Sequence, residues 1–172
     1  AIRIKRDFLD QNHTGFVYTD KTHNEYSNRV FALDGKLIFN KRYSLQGQAG
    51  FSTTKTSNNS GKAAPMWNFS ANATSRKWSH SFRTTGFHSE FDPALGFVSI
   101  GDYVTVSAGT RRTFYGAKGG TIEKINLGYQ YQHNWNYDPF IKGQKPLDWR
   151  SYPTFSFNFK GGWGLNTFIW YE

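Results

Sequence analysis

TIEKINLGYQYQH, residues Thr121 to His133, is the stretch that decides the fold class. Every second residue from Ile125 to Tyr131 is apolar, and the residues between them are polar or glycine. Successive side chains of a β-strand point to opposite faces, so the pattern predicts a strand with one apolar and one polar face. Such a strand can cover the core of a soluble domain or face lipid, and the alternation does not distinguish these two environments.

The same alternation recurs along the whole chain. No segment repeats apolar residues at helical spacing, so we predict no helix. The predicted strands are 1–9, 14–20, 28–40, 43–54, 63–74, 78–87, 101–114, 121–133, 150–160 and 163–171. We therefore predict an all-β fold, an antiparallel up-and-down sheet of about ten strands, in a single domain over residues 1–172.

The predicted connections alternate in length. Short ones lie near residues 10, 41, 75, 118 and 161, and longer ones at 21–27, 55–62, 88–100 and 134–148. Antiparallel outer-membrane barrels have short periplasmic turns and longer extracellular loops, so this alternation favours a transmembrane β-barrel. In that orientation both chain ends lie outside the cell, and we therefore expect an internal part of a larger barrel, with at least one further strand on each side.

Composition favours the same fold class. Aromatic residues make up 19% of the chain and all hydrophobic residues 37%, so about half of the apolar residues are Phe, Tyr or Trp. Soluble cores are built mainly from aliphatic residues, whereas aromatic girdles around polar interiors characterise outer-membrane barrels. The chain has no cysteine, which excludes disulfides and thiolate metal sites, and no apolar run long enough for a transmembrane helix.

The net charge of +9, from 21 Lys and Arg against 12 Asp and Glu, raises the question of a nucleic-acid partner. The basic residues are scattered through every segment and form no long run. We therefore predict no nucleic-acid binding, and assign the charge to the surface or lumen of the barrel.

Strand parity divides the predicted sheet into two sets of residues. The candidate lumen-lining residues are Arg3, Lys5, Asp34, Lys36, Gln46, Gln48, Asn68, Arg83, Lys124, Gln130, Asn158 and Lys160. The candidate membrane-facing residues are Phe31, Leu33, Leu37, Phe39, Leu45, Phe51, Trp67, Phe69, Val104, Val106, Ile125, Leu127, Tyr129, Phe155, Phe157 and Phe159. Basic side chains in a lumen favour anionic solutes and amides suit glycans. A filled lumen whose charges pair with one another is the alternative.

A group of aromatic residues near the end of the chain permits two interpretations. It contains Trp135, Tyr137, Trp149, Tyr152, Trp163 and Trp170. These rings could form a sugar-stacking platform in the extracellular mouth. Aromatic residues at strand ends are also typical of both membrane interfaces, and we favour this interfacial girdle.

We predict no enzymatic activity, no catalytic residues, no cofactor and no metal site. The sequence contains no nucleophile elbow, no HExxH, no P-loop and no dinucleotide fingerprint. His88, Glu90 and Asp92 alternate and could converge on a metal if their segment were extended. An Asp-Pro turn in a solvated loop accounts for them better.

Several segments resemble an uncharacterised family of bacterial outer-membrane β-barrel domains, whose members typically follow a domain like the family-9 carbohydrate-binding modules. The matching segments are RIKRDF at 3–8, TG at 14–15, Thr19, NRV at 28–30, Asp34, Leu45, Gly47, Ala49, Ser52, FDPALGFV at 91–98 and DY at 102–103. Family members often have a basic residue just before the DY pair, where this chain has Ser99, Ile100 and Gly101. The resemblance covers about residues 1–103 and implies a longer barrel, with no catalytic residues to transfer.

We therefore expect a non-enzymatic protein of the bacterial outer membrane. It would be a channel or transport component, or a membrane anchor for an exported domain, linked to carbohydrate handling. Its expected partners are the lipid bilayer, other outer-membrane or periplasmic proteins, and a glycan or anionic solute. The alternative is a soluble all-β carbohydrate-binding module, lectin-like, with the aromatic residues in its core.

Overall fold

A computed structural model describes residues 1–57, 61–94 and 101–171 as one antiparallel sheet in which the strands follow one another in chain order. The strands are β1 Ile2–Phe8, β2 Asn12–His23, β3 Tyr26–Phe39, β4 Tyr43–Lys55, β5 Ala63–Thr74, β6 Trp78–Phe87, β7 Tyr103–Tyr115, β8 Ile122–Trp135, β9 Asp148–Phe159 and β10 Gly164–Phe168. The predicted all-β, up-and-down antiparallel architecture is confirmed. Within the described ranges β1 and β10 do not pair with each other, so the sheet is open.

Two of the tight turns show how the sequence ends one strand and begins the next. Asn40 and Lys41, between β3 and β4, have φ angles of 50° and 53°, and the Arg42 amide donates to the Phe39 carbonyl at 3.1 Å. Gly161 and Gly162, between β9 and β10, have φ angles of 88° and 82°. Positive φ at both central positions matches the right-handed twist of the flanking strands, and Gly and Asn adopt it at low cost.

The structure corrects two predictions about the connections. The predicted long loop at 21–27 is only Asn24 and Glu25, because β2 continues to His23 and β3 begins at Tyr26. The predicted absence of helix is also wrong, since the connection between β8 and β9 contains a short helix, α1, at Tyr137–Ile141. A single turn of helix is too short to produce a helical hydrophobic period. The connections at 56–62, 88–102 and 136–147 are long, as predicted.

Strand register assigns every side chain to one of two faces, because cross-strand partners project from the same side. The polar face contains the row Asp34, Gln48, Asn68 and Thr85, and the apolar face contains the row Leu33, Ala49, Trp67 and Gly86. Along these central rows the two faces therefore differ in chemistry.

The sheet has almost no protein core. Within the described ranges the buried hydrophobic residues are Val30, Ala32, Ala64 and Val104, and none is aromatic. On the apolar face many large side chains are exposed, for example Leu33 at 53% and Phe39 at 65%. None of the helical structure in the described ranges has the length and apolar character needed to cross a membrane.

Candidate functional site

Eleven of the twelve candidate lumen-lining residues lie on the polar face, because the register follows the predicted parity. The exception is Lys160, which lies in the turn after β9. Gln132 and Asn134 of β8 also belong to this face, where they pair with Arg150 and Asp148. Sequence reasoning left them out, although their parity is the same as that of Gln130.

The sixteen candidate membrane-facing residues all lie on the apolar face. Two of them are covered by other parts of the chain, one fully and one partly. Val104 is fully buried at 0% exposure, and the indole of Trp67 contacts Tyr137 and Phe140 of the segment that includes α1. Val104 is therefore not exposed as expected, and Trp67 is only partly exposed, because the segment that includes α1 packs on that corner of the sheet.

Six of the predicted polar-face residues line a single cleft of about 500 Å³. They are Arg3, Asp34, Gln46, Gln48, Asn68 and Arg83. The Arg3 guanidinium donates two hydrogen bonds to the Asp34 carboxylate, at 2.5 and 2.9 Å. His13 Nε2 lies 3.8 Å from the same carboxylate. The charges at this end of the cleft therefore compensate one another, and the amides dominate the rest of its lining.

Gly15 makes the pairing of Arg3 with Asp34 possible. Arg3 is on β1 and Asp34 is on β3, so their side chains must meet above the intervening strand β2. A Cβ atom at Gly15 would lie 2.8 Å from both the Arg3 guanidinium and the Asp34 carboxylate. The absence of a side chain at this position lets the ion pair cross β2.

The opposite end of the cleft is different, because Arg83 has no compensating charge. Its guanidinium forms no hydrogen bond or ion pair within the described part of the chain. Arg83 also lines a second cleft of about 270 Å³, together with Asn72, Gln130, Gln132 and Tyr152. It therefore stands where the two clefts meet.

Cations outnumber carboxylates over the polar face as a whole. The Lys and Arg residues of β1 to β9 on this face are Arg3, Lys5, Lys21, Lys36, Arg83, Arg111, Lys124 and Arg150, and the acidic residues are Asp7, Asp34 and Asp148. Asp7 lies 2.9 Å from Lys5, and Asp148 accepts a hydrogen bond from Asn134 at 2.5 Å. Each carboxylate therefore has a partner, and the excess charge is positive.

The structure separates the aromatic residues that the sequence grouped together. Trp135 and Trp149 lie on the apolar face near the long connections, and Trp163 lies in the turn between β9 and β10 at the opposite rim. Tyr152 and Trp170 lie on the polar face, where their rings stack with centroids 5.5 Å apart and planes 9° apart. Tyr152 has the same parity as the polar residues of β9, so the sequence alone could have placed it on the polar face.

The segment 88–94, which we call the strap, crosses the polar face at the rim of the long connections. The buried Asn28 amide donates to the Asp92 carbonyl at 2.8 Å and accepts from the Ala94 amide at 3.3 Å. Ser52, also buried, accepts a hydrogen bond from the Asp92 amide at 3.0 Å. These bonds attach the first part of the FDPALGFV motif to β3 and β4. Leu95 to Val98 of that motif lie outside the described residues.

Helix α1 packs on the apolar face at the same rim. Phe140 lies 5.3 Å from Trp135 and 6.0 Å from Trp67 between ring centroids. The Trp135 indole donates to the Gln144 carbonyl at 3.1 Å. Burial, and then the nearby Asp138 carboxylate, raise the pKa of Tyr137 above its ordinary value. This aromatic cluster holds the connection between β8 and β9 against the sheet.

The structure does not bring His88, Glu90 and Asp92 together as metal ligands. The Glu90 amide donates to His88 Nδ1 at 3.1 Å, and the Asp92 carboxylate accepts from the Tyr26 hydroxyl at 3.4 Å. Within the ranges that the structure describes, no group of three or more His, Asp or Glu side chains is arranged to hold a metal ion.

A comparison with protein-family models gives no match for this chain, and a comparison with curated proteins gives none either.

Proposed function

We propose that this sheet forms part of the wall of a bacterial outer-membrane β-barrel, with the apolar face towards lipid and the polar face towards a lumen. One observation carries the proposal, the exposure of large apolar side chains over one face of a ten-stranded sheet. Soluble monomers rarely expose a contiguous apolar patch larger than a few hundred Å². Lipid is the environment that accepts such a face.

The alternative, a soluble lectin-like module, predicts aromatic residues in a core between two layers. Within the described ranges there is one sheet, and its buried hydrophobic residues include no aromatic ring. This arrangement favours the membrane proposal over the soluble one.

Strand length and the position of aromatic rings also support the membrane proposal. Strands β2 to β9 contain 10 to 14 residues, and a tilted strand needs about 9–11 residues to cross a bilayer. On the apolar face, rings lie at both strand ends: Phe39, Tyr43 and Trp78 at one rim, and Trp135 and Trp149 at the other. Aromatic side chains are enriched at these two depths of a membrane.

The edges β1 and β10 bear on the size of the barrel. In lipid, an unpaired row of backbone N–H and C=O groups costs several kcal/mol per group, so an open edge within the membrane is not tolerated. We propose that both edges pair with further strands, so that the sheet is part of a larger barrel. The resemblance of residues 1–103 to a family of such domains points the same way.

The chemistry of the polar face supports a proposal for the role of the barrel. Its excess of cations and its amide-lined clefts suit an anionic solute or a glycan. We propose a non-enzymatic role as a channel or transport component, or as a membrane anchor for an exported domain. Lipid, other outer-membrane or periplasmic proteins and such a solute are the proposed partners.

Purification with and without detergent tests the membrane proposal. We expect the protein to need detergent, to insert into lipid vesicles and to migrate faster on a gel before heating than after it. A monodisperse protein in buffer without detergent, with one gel mobility at both temperatures, would contradict the proposal.

A further inference from the structure

The second cleft of the polar face combines three kinds of side chain. It has an aromatic ring, Tyr152, three amides, Asn72, Gln130 and Gln132, and a guanidinium, Arg83. Its volume of about 270 Å³ adjoins the larger cleft of about 500 Å³, and Arg83 lines both. Together they fall in the range of ligand sites, about 300–1,000 Å³.

Trp170 fixes the orientation of the Tyr152 ring. The two rings stack nearly parallel, with planes 9° apart, and the Arg150 guanidinium lies 5.6 Å from the Trp170 ring. Strand β8 lies on the other side of Tyr152, where Gln130 is its cross-strand partner. The ring therefore turns its second face towards the amides and the cleft.

Each of these groups matches part of a sugar acid. The C–H face of a pyranose is apolar and flat, so it can stack on an aromatic ring. A side-chain amide has both donors and an acceptor, which matches a hydroxyl group that does both. A guanidinium matches a carboxylate, with which it forms two parallel charge-assisted hydrogen bonds. Arg83 is available for this pairing because no described residue neutralises it.

We infer that this second cleft binds an acidic saccharide. The sugar ring stacks on Tyr152, its hydroxyls bond to Gln130 and Gln132, and its carboxylate pairs with Arg83. The inference rests on the proposed function, since it requires the polar face to line a water-filled lumen, and it names the class of solute that this lumen receives.

Titration calorimetry on the full chain in detergent tests the inference with two probes, trigalacturonate and its methyl ester. The ester keeps the rings and hydroxyls and lacks the charge. We expect trigalacturonate to bind at least about tenfold more tightly than the ester, since a hydrogen bond to a charged group is worth this much or more. Arg83→Gln should remove that difference, and Tyr152→Ala should weaken both probes.

Lys36→Gln is the matched control, because Lys36 is a cation of the same face that lines neither cleft. It should leave both affinities unchanged. Equal affinities of the two probes for the unmodified protein, or equal losses in the Arg83 and Lys36 variants, would overturn the inference. Each variant is first checked for unaltered circular dichroism and gel mobility.

Vesicle insertion, measured separately, distinguishes the two proposals. A protein that inserts but binds both probes equally overturns the acidic-saccharide site and leaves the barrel in place. A protein that remains soluble without detergent overturns the barrel, and with it the lumen that the site requires.

Discussion

Leu33→Arg is the substitution that tests most directly what covers the apolar face. Leu33 lies near the middle of β3, between Phe16 of β2 and Ala49 of β4, and 53% of it is exposed. If lipid covers this exposed half, an arginine there costs about 2–4 kcal/mol, the penalty measured for Arg at the midplane of a membrane barrel. If water covers it, the cost stays within about 0.5 kcal/mol, as for most surface substitutions.

Gln48→Arg is the matched control on the polar face. Gln48 is near the middle of the next strand, and its cross-strand partner is Asp34, whose carboxylate would face the new cation. We expect its effect on the free energy of unfolding to remain within about 0.5 kcal/mol. Both variants would be unfolded by urea from lipid vesicles and followed by tryptophan fluorescence. Equal small effects at the two positions would refute the assignment of the faces.

Three further substitutions test features that only the structure revealed. Asn28→Ala should cost about 1–3 kcal/mol, because it removes a buried side chain that forms hydrogen bonds with two backbone groups of the strap, residues 88–94. It should also expose the strap to limited proteolysis, and Asn72→Ala, at an exposed amide, should do neither. Phe140→Ala removes two ring pairs and should cost about 1–3 kcal/mol, with a red shift of tryptophan emission as the measurement. Gly50→Ala places a Cβ atom 2.3 Å from a backbone carbonyl oxygen, so it should lower the free energy of unfolding by about 1–3 kcal/mol. The urea midpoint measures this loss, and an unchanged midpoint would show that β3 and β4 are less closely packed.

The candidate site was only partly predictable. Parity located Arg83 and Gln130 on one face, since a strand has a fixed period of two. Parity alone could not show that these residues share a cleft with Tyr152, because β6, β8 and β9 are brought side by side only by the folded sheet. Nor could it show that the charge of Arg3 is compensated while that of Arg83 is not.

The loops were the least predictable part of the chain. The turn residues predicted three of the four long loops, those at 56–62, 88–102 and 136–147, but not the direction in which each loop runs. The strap and helix α1 cover opposite faces of the same rim, and each is held by contacts with distant strands, such as Asn28 to Asp92 and Trp67 to Phe140. Such contacts leave no periodic signal in the sequence.

The sequence by itself determined that Thr121 to His133 and its neighbours are strands with one apolar and one polar face. The reason is local: side-chain direction alternates along a strand whatever surrounds it. Only the tertiary structure decided which apolar positions are covered and which cations are paired. Val104 and Leu33 have the same parity pattern, yet one is fully buried and the other is 53% exposed. The difference comes from a connection that folds back over one corner of the sheet, and burial is therefore a property of the assembled chain.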